Sequence, residues 1–246
     1  MSPFLRNDGA TAVKNQNRGE EDAKIAVQIA QDAFQTFQDV PARERMEILK
    51  NWFELMKEHE QDLATILAYE NGRPLEAALS EIKYAASFFE WFQGEALRSY
   101  GETIDSSTPG TRVLTIKQPV GVVGALTPWN FPSAMITRKV GASVAAGCTV
   151  VLKPAAETPY SALALAELSE RAGLPAGVFN IVTTDKNTPL VGKTICEHPL
   201  VKKISFTGST PVGKLLMQQS SSTLKKLSLE LGGNAPFIST STSILR

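Results

Sequence analysis

The chain has 246 residues, with 25 Lys and Arg against 25 Asp and Glu, and two cysteines. Balanced charge gives no electrostatic case for a nucleic acid or an anionic membrane as partner, and no apolar run approaches the ~20 residues that span a bilayer. Cys148 and Cys196 do not make a disulfide framework, and the N-terminus lacks the apolar segment of a secretory signal, so a reducing cytoplasmic compartment is the default, with a mitochondrial one left open. The cysteines and the isolated His59 and His198 show no metal-ligand spacing, which argues against metal chemistry.

Residues 1–19 are polar and aperiodic, a loose leader. From Glu20 the pattern turns helical. Ala23, Ala26, Val27, Ala30, Ala33, Phe34 and Phe37 recur at helical spacing behind the acidic turn Glu20-Glu21-Asp22. Pro41 opens a second helix that carries Leu49, Trp52, Met56, Leu63 and Leu67 and ends near Asn71-Gly72. A third follows Pro74, with Leu75, Leu79, Ile82, Ala86, Phe89 and Phe92 inward; the aromatics Phe88, Phe89, Trp91 and Phe92 read as packing between helices. Residues 99–110, with Gly101, Pro109 and Gly110, form a connector. Arg112 to Lys117 then alternates as an exposed strand, an edge that needs a partner from another segment or another subunit.

From Val120 the rhythm becomes strand and helix in alternation. Strands are expected at 120–126, 149–152, 178–182 and 203–207, and in the stretch that ends on Glu230, with helices at 132–145, 161–172, 188–197 and 211–219. The fold class is therefore α/β: a doubly wound, parallel-sheet, Rossmann-like domain preceded by a layer of helices.

Ligands of such sheets sit beyond the carboxyl ends of the strands. After the first strand comes Thr127-Pro128-Trp129-Asn130-Phe131-Pro132, and after the second Lys153-Pro154. After the fourth comes Gly208-Ser209-Thr210-Pro211-Val212-Gly213, entering a helix, and after the fifth Glu230-Leu231-Gly232-Gly233. The glycine-serine helix start suits an anion such as a pyrophosphate, although the usual G-x-G-x-x-G is absent. Glu230 is either a solvated acid at a strand end or, in apolar surroundings that lift its pKa, a general base. The convergence of an amide, a cation, a helix start and a carboxylate on one rim favours a site.

Pro128-Trp-Asn-Phe-Pro132, Lys153-Pro-Ala-Ala-Glu-Thr-Pro159, Phe206-Thr-Gly-Ser-Thr210 and Leu229-Glu-Leu-Gly-Gly-Asn-Ala-Pro236 together resemble the aldehyde dehydrogenase superfamily, in order and at family spacing, over residues 20–238. The stretches Asn51-Trp-Phe-Glu-Leu-Met56, Tyr84-Ala-Ala-Ser-Phe88, Ile116-Lys-Gln-Pro119 and Ala134-Met-Ile-Thr-Arg-Lys139 are similar to the succinate-semialdehyde branch. The resemblance implies oxidation of an aldehyde, succinate semialdehyde in 4-aminobutyrate degradation, with hydride passed to NADP or NAD. Asn130 then matches the oxyanion donor, a role worth ~3 kcal/mol in comparable sites, and Glu230 the water-activating base. Lys153 matches the cofactor-ribose lysine and Ser209 the pyrophosphate contact. Thr127, Pro128, Trp129, Ala156, Gly208, Thr210, Val212, Gly213 and Leu231 match the cofactor cleft. Arg138 matches a substrate-carboxylate anchor, with a plain helix-surface arginine as the alternative. Ala156 stands where NAD-preferring members carry a Glu and the acid is displaced to Glu157, which points to NADP, alone or with NAD. Strand 111–118 matches an oligomerisation strand, and a homo-oligomer is the expectation for the complete enzyme.

The family nucleophile is a Cys that lies beyond the Glu-Leu-Gly-Gly motif, and neither Cys148 nor Cys196 matches it. Residues 239–246 do not resemble the family continuation. The chain is therefore expected to be an N-terminal, cofactor-binding half without turnover of its own. The alternatives are a non-catalytic cofactor-binding or subunit-interaction fragment, or a dehydrogenase for a different aldehyde.

Overall fold

The computed structural model describes residues 17–239. Residues 1–16 of the expected leader lie outside the described residues, as do 240–246 of the expected tail. Asn17, Arg18 and Gly19 are not loose: Asn17 bridges Thr184, and the Arg18 N–H donates to the Thr183 carbonyl. The Gly19 N–H donates to Asp22 Oδ2 at 2.9 Å, so the first acidic turn closes helix α1 (Glu20–Phe37) on itself.

The helical layer holds one helix more than its periodicity suggests. The long second helix divides at His59 into α2 (Ala42–Glu58) and α3 (Glu60–Asn71). His59 leaves helical geometry (φ −102, ψ 21) yet still donates to Leu55 and accepts from Leu63. Apolar spacing runs straight through this break, which hides it from the sequence. Helix α4 (Leu75–Leu97) follows Pro74. Trp52 stacks on Phe89 with ring centroids 4.3 Å apart, and this pair anchors the layer. Of the four aromatics expected to pack between helices, Trp91 is exposed, and Leu75 is also exposed rather than inward. Both stand on the solvent side of α4.

The expected connector contains a strand. β1 (Thr103–Asp105) pairs antiparallel with β2 (Arg112–Leu114), so the exposed strand finds its partner within its own hairpin. Strands this short, in Ser/Thr-rich sequence, carry too little alternation to be read.

The main sheet is parallel. Its strands are β3 (Val122–Leu126), β4 (Thr149–Lys153), β5 (Phe179–Ile181), β6 (Val201–Thr207) and β7 (Lys226–Glu230), in the order β5-β4-β3-β6-β7. Helices α5 (Pro132–Ala145), α6 (Pro159–Arg171), α7 (Thr188–Glu197) and α8 (Thr210–Ser220) alternate with them, and each has Pro at its first or second position. Alternation along the strands builds two cores. Val123, Ala125, Val150 and Leu152 face the layer of α2 to α6, and Val122, Leu126, Val151, Ile204 and Phe206 face α1, α7 and α8. The order reverses between β3 and β6, and the crevice beyond their carboxyl ends is where such a sheet takes a ligand. Among the described residues no helix is long and apolar enough to cross a membrane.

Candidate active site

The rim has two sides, and strand alternation assigns each residue to one of them. Leu229 packs on the core of α1, α7 and α8, so Glu230 turns to the α5 side and Leu231 turns back. Thr207 likewise follows Phe206 onto the α5 side, and Lys153, two residues after Val151, stays on the other. The register of β6 against β7 sets Thr207 directly beside Glu230.

On the α5 side these residues form a chain of contacts. Arg138 Nη2 lies 3.1 Å from Glu230 Oε1. The Thr207 hydroxyl donates to Glu230 Oε2 at 2.9 Å, and Lys139 Nζ donates to the Thr207 oxygen at 2.7 Å. Of the two surroundings open to Glu230, the apolar one is absent: its side chain is 44% exposed and rests between a guanidinium and a hydroxyl. Arg138 is not a plain helix-surface arginine either, because it pairs with Glu230 and sits 5.4 Å over the Phe88 ring. Beneath them lies a cavity of about 370 Å³, lined in part by Val123, Lys139, Ser143, Cys148 and Glu230.

Burial lowers the Lys139 ammonium to about 8, against the attraction of Glu230 and helped by the repulsion of Arg138. The native state thus sheds a proton that the unfolded chain keeps up to its ordinary 10.5. Stability contributed by this residue rises as pH climbs from about 8 towards 10.5. Other buried lysines shift the same way, so the check is a difference: urea midpoints of wild type and Lys139→Met between pH 7 and 10 should diverge above pH 8. Parallel curves would remove Lys139 as the titrating group.

On the other side Lys153 is 7% exposed, and among the described residues it makes no hydrogen bond or ion pair. Burial lowers its ammonium, while Glu157 and Asp185 oppose the shift. The hydroxyls of Thr127 and Thr184 are also buried, with no hydrogen-bond partner among the described residues. Buried donors left this way fit a polar ligand that supplies acceptors. Pro128 and Ala156 are half-buried at the ends of β3 and β4, and Trp129 is exposed. Ser209 caps α8 in an extended conformation without using its own hydroxyl, which leaves first-turn N–H groups at Thr210 and Val212 for an anion. Gly213 allows one close approach: a Cβ there would stand 2.5 Å from Leu231 Cδ2. Leu231 therefore rests on the first turn of α8, and the Gly208 N–H donates to the Glu230 carbonyl at 3.0 Å. These residues fit a dinucleotide laid across the reversal of strand order.

Asn130 follows Trp129 in an exposed turn. Its Oδ1 accepts from the Phe131 N–H at 3.1 Å, which turns Nδ2 outward as a donor without a partner among the described residues. Both thiols are enclosed, Cys148 at 3% and Cys196 at 0% exposure, and burial pushes both upward. The sequence reading missed Lys139, Thr207 and Asp185. A charge inside the apolar stretch of α5 was a signal for Lys139; Thr207 and Asp185 had no comparable signal.

The aldehyde dehydrogenase family model matches residues 2–242. The chain belongs to the aldehyde dehydrogenase family. The match reaches past both ends of 20–238, the stretch that carries the resemblance in sequence. A succinate-semialdehyde dehydrogenase [NADP(+)] of Saccharomyces cerevisiae is 60% identical over 213 residues, which are 87% of this chain and 43% of that protein. A glutarate-semialdehyde dehydrogenase of Pseudomonas aeruginosa is 54% identical over 220 residues, 89% of this chain and 45% of that one. The crystal structure of an E. coli NADP-dependent enzyme superposes with a TM-score of 0.87 at 54% identity, covering 89% of this chain and 45% of that chain. This aldehyde dehydrogenase chain thus spans less than half the length of the proteins it matches.

Proposed function

We propose that the chain supplies the cofactor-binding half of an NADP-accepting aldehyde dehydrogenase that oxidises succinate semialdehyde to succinate. The observation that carries the proposal is the shared rim: Glu230 held by Thr207 and Arg138 on one side of the sheet, and on the other Lys153, buried and without a hydrogen bond or ion pair among the described residues. The name of the S. cerevisiae relative supports both the cofactor and the substrate. Bound NADP supplies the hydride acceptor. Lys153 donates to the cofactor's ribose hydroxyl or 2′-phosphate, the first turn of α8 receives its pyrophosphate, and Trp129 and Leu231 line its cleft. Asn130 Nδ2 donates to the substrate oxygen as negative charge gathers there. After hydride transfer the substrate is a thioester on the nucleophilic Cys of the remaining half. Glu230 takes a proton from the water that attacks this thioester, the thiolate leaves, and Thr207 and Lys139 steady the carboxylate. Arg138 pairs with the substrate carboxylate; in doing so it lets go of Glu230 and frees the base. The exposed hairpin residues Val113 and Leu114 suit a contact with a second copy.

The 246-residue chain is expected to bind NADP without oxidising succinate semialdehyde, since both of its thiols are buried. Joined to the remaining half of the S. cerevisiae relative, residues 17–239 should turn it over. Arg138→Leu in the joined chain should lower kcat/KM for succinate semialdehyde on the order of 10²-fold while sparing an uncharged aldehyde. The engagement of Arg138 by Glu230 favours a second reading, in which Arg138 serves the base alone and the substrate is uncharged. Equal losses on both aldehydes would establish that second reading.

A further inference from the structure

The turn that carries Asn130 is held from outside by the connection between α3 and α4. Trp129, Asn130 and Phe131 are exposed, so packing does not fix them. Gly72 ends α3 in the left-handed region (φ 71), a conformation that only glycine adopts freely. Asn71 and Arg73, on either side of it, both reach across to this turn.

Asn71 Nδ2 donates to the Trp129 carbonyl at 2.6 Å, and Arg73 Nη2 donates to the Asn130 carbonyl. The Arg73 guanidinium lies 5.1 Å over the Phe131 ring, and its Nε donates to Asn71 Oδ1 at 2.8 Å. Its Nη1 donates at 2.6 Å to Glu81 Oε2. Glu81, 2% exposed, completes the frame, because its Oε1 accepts from the Ser133 and Ala134 N–H groups at 2.9 and 3.4 Å. Two successive carbonyls are thereby pinned, which fixes the peptide planes on both sides of the Asn130 Cα. The Phe131 N–H then holds Asn130 Oδ1, so the direction of Nδ2 follows from the backbone.

We infer that Asn71, Arg73 and Glu81 are positioning residues that hold the Asn130 amide in the orientation of an oxyanion donor. The inference rests on the reading of Asn130 given above. A purely structural role for Glu81 needs only the amides of α5; the Arg73 and Asn71 bonds to the Trp129 and Asn130 carbonyls add nothing to that helix. A displaced donor is costly in such a site, because a misplacement of ~1 Å can lower a rate on the order of 10²-fold.

The test uses 15N relaxation on the 246-residue chain. In wild type the backbone amides of Asn130 and Phe131 should be rigid, with order parameters near ~0.85, and Arg73→Gln should drop them below ~0.6. The amides of β3 should stay rigid in both. Arg73→Lys keeps the bond to Glu81 without the fork to Asn130, and Asn71→Ala removes one arm, so each should give intermediate values. If Arg73→Gln fails to fold, these two variants decide. Unchanged values at 130 and 131 overturn the inference, as does an equal loss in β3, which would mark Arg73 as general support. Asn130→Ala should leave the Phe131 amide rigid. Failure of the brace is thus separate from failure of the oxyanion reading, which is judged by turnover of the joined chain.

Discussion

Glu81→Ala should destabilise the chain by about 3–5 kcal/mol, the usual cost of breaking a buried ion pair by removing one partner. The Glu81 side chain is fully buried and that of Arg73 only 18% exposed, so the guanidinium left behind cannot recover its lost partner from water. The substitution also strips the Ser133 and Ala134 N–H groups of their acceptor at the start of α5. Burial pushes the Glu81 carboxyl upward, against those amides and Arg73. Urea unfolding followed by circular dichroism gives the value. The double variant Glu81→Leu with Arg73→Met should lose less than Glu81→Ala alone, because no charge is then stranded. A loss below about 1 kcal/mol for the single variant would mean that solvent reaches the site.

Asn130→Ala in the joined chain should lower kcat by about 10²–10³-fold, the range seen when one oxyanion donor is removed. Its affinity for NADP should not change, since Lys153 and the first turn of α8 lie on other strand ends. The effect belongs in kcat because the amide bonds most strongly to an oxygen that has become charged. Arg73→Gln should give a smaller loss of the same kind, as it displaces the donor without removing it. Steady-state rates and a cofactor titration on the same preparations separate the two terms. A rise in KM for the aldehyde at constant kcat would make Asn130 a ground-state contact.

Much of the architecture was legible because its signals are local. Helix α5 runs from Pro132 to Ala145, the span expected from its opening proline and apolar run. The first strand appeared as a near-continuous apolar run and the last as an apolar and polar alternation, and the succession of strands and helices gave the parallel sheet. The division of α2 from α3 was hidden because Met56 and Leu63 keep helical spacing across it. The rim was legible too: Lys153 and Glu230 stand at strand ends, where the sheet rule puts them. The environment of Glu230 was not. A solvated acid and a desolvated base both fit the sequence; the register of β7 on β6 brings Thr207 beside Glu230 and α5 brings Arg138.

By itself the sequence determined the family, the sheet, and which residues stand at the carboxyl ends of its strands, since hydrophobic period and chain punctuation act over a few residues. The tertiary structure decided how those residues are partnered. It placed Arg138 on Glu230, set Lys139 behind Thr207, and closed Asn71, Arg73 and Glu81 around the Asn130 turn. These pairings join residues far apart in the chain. They depend on strand register and on which helix faces pack together, and neither is written in any one segment.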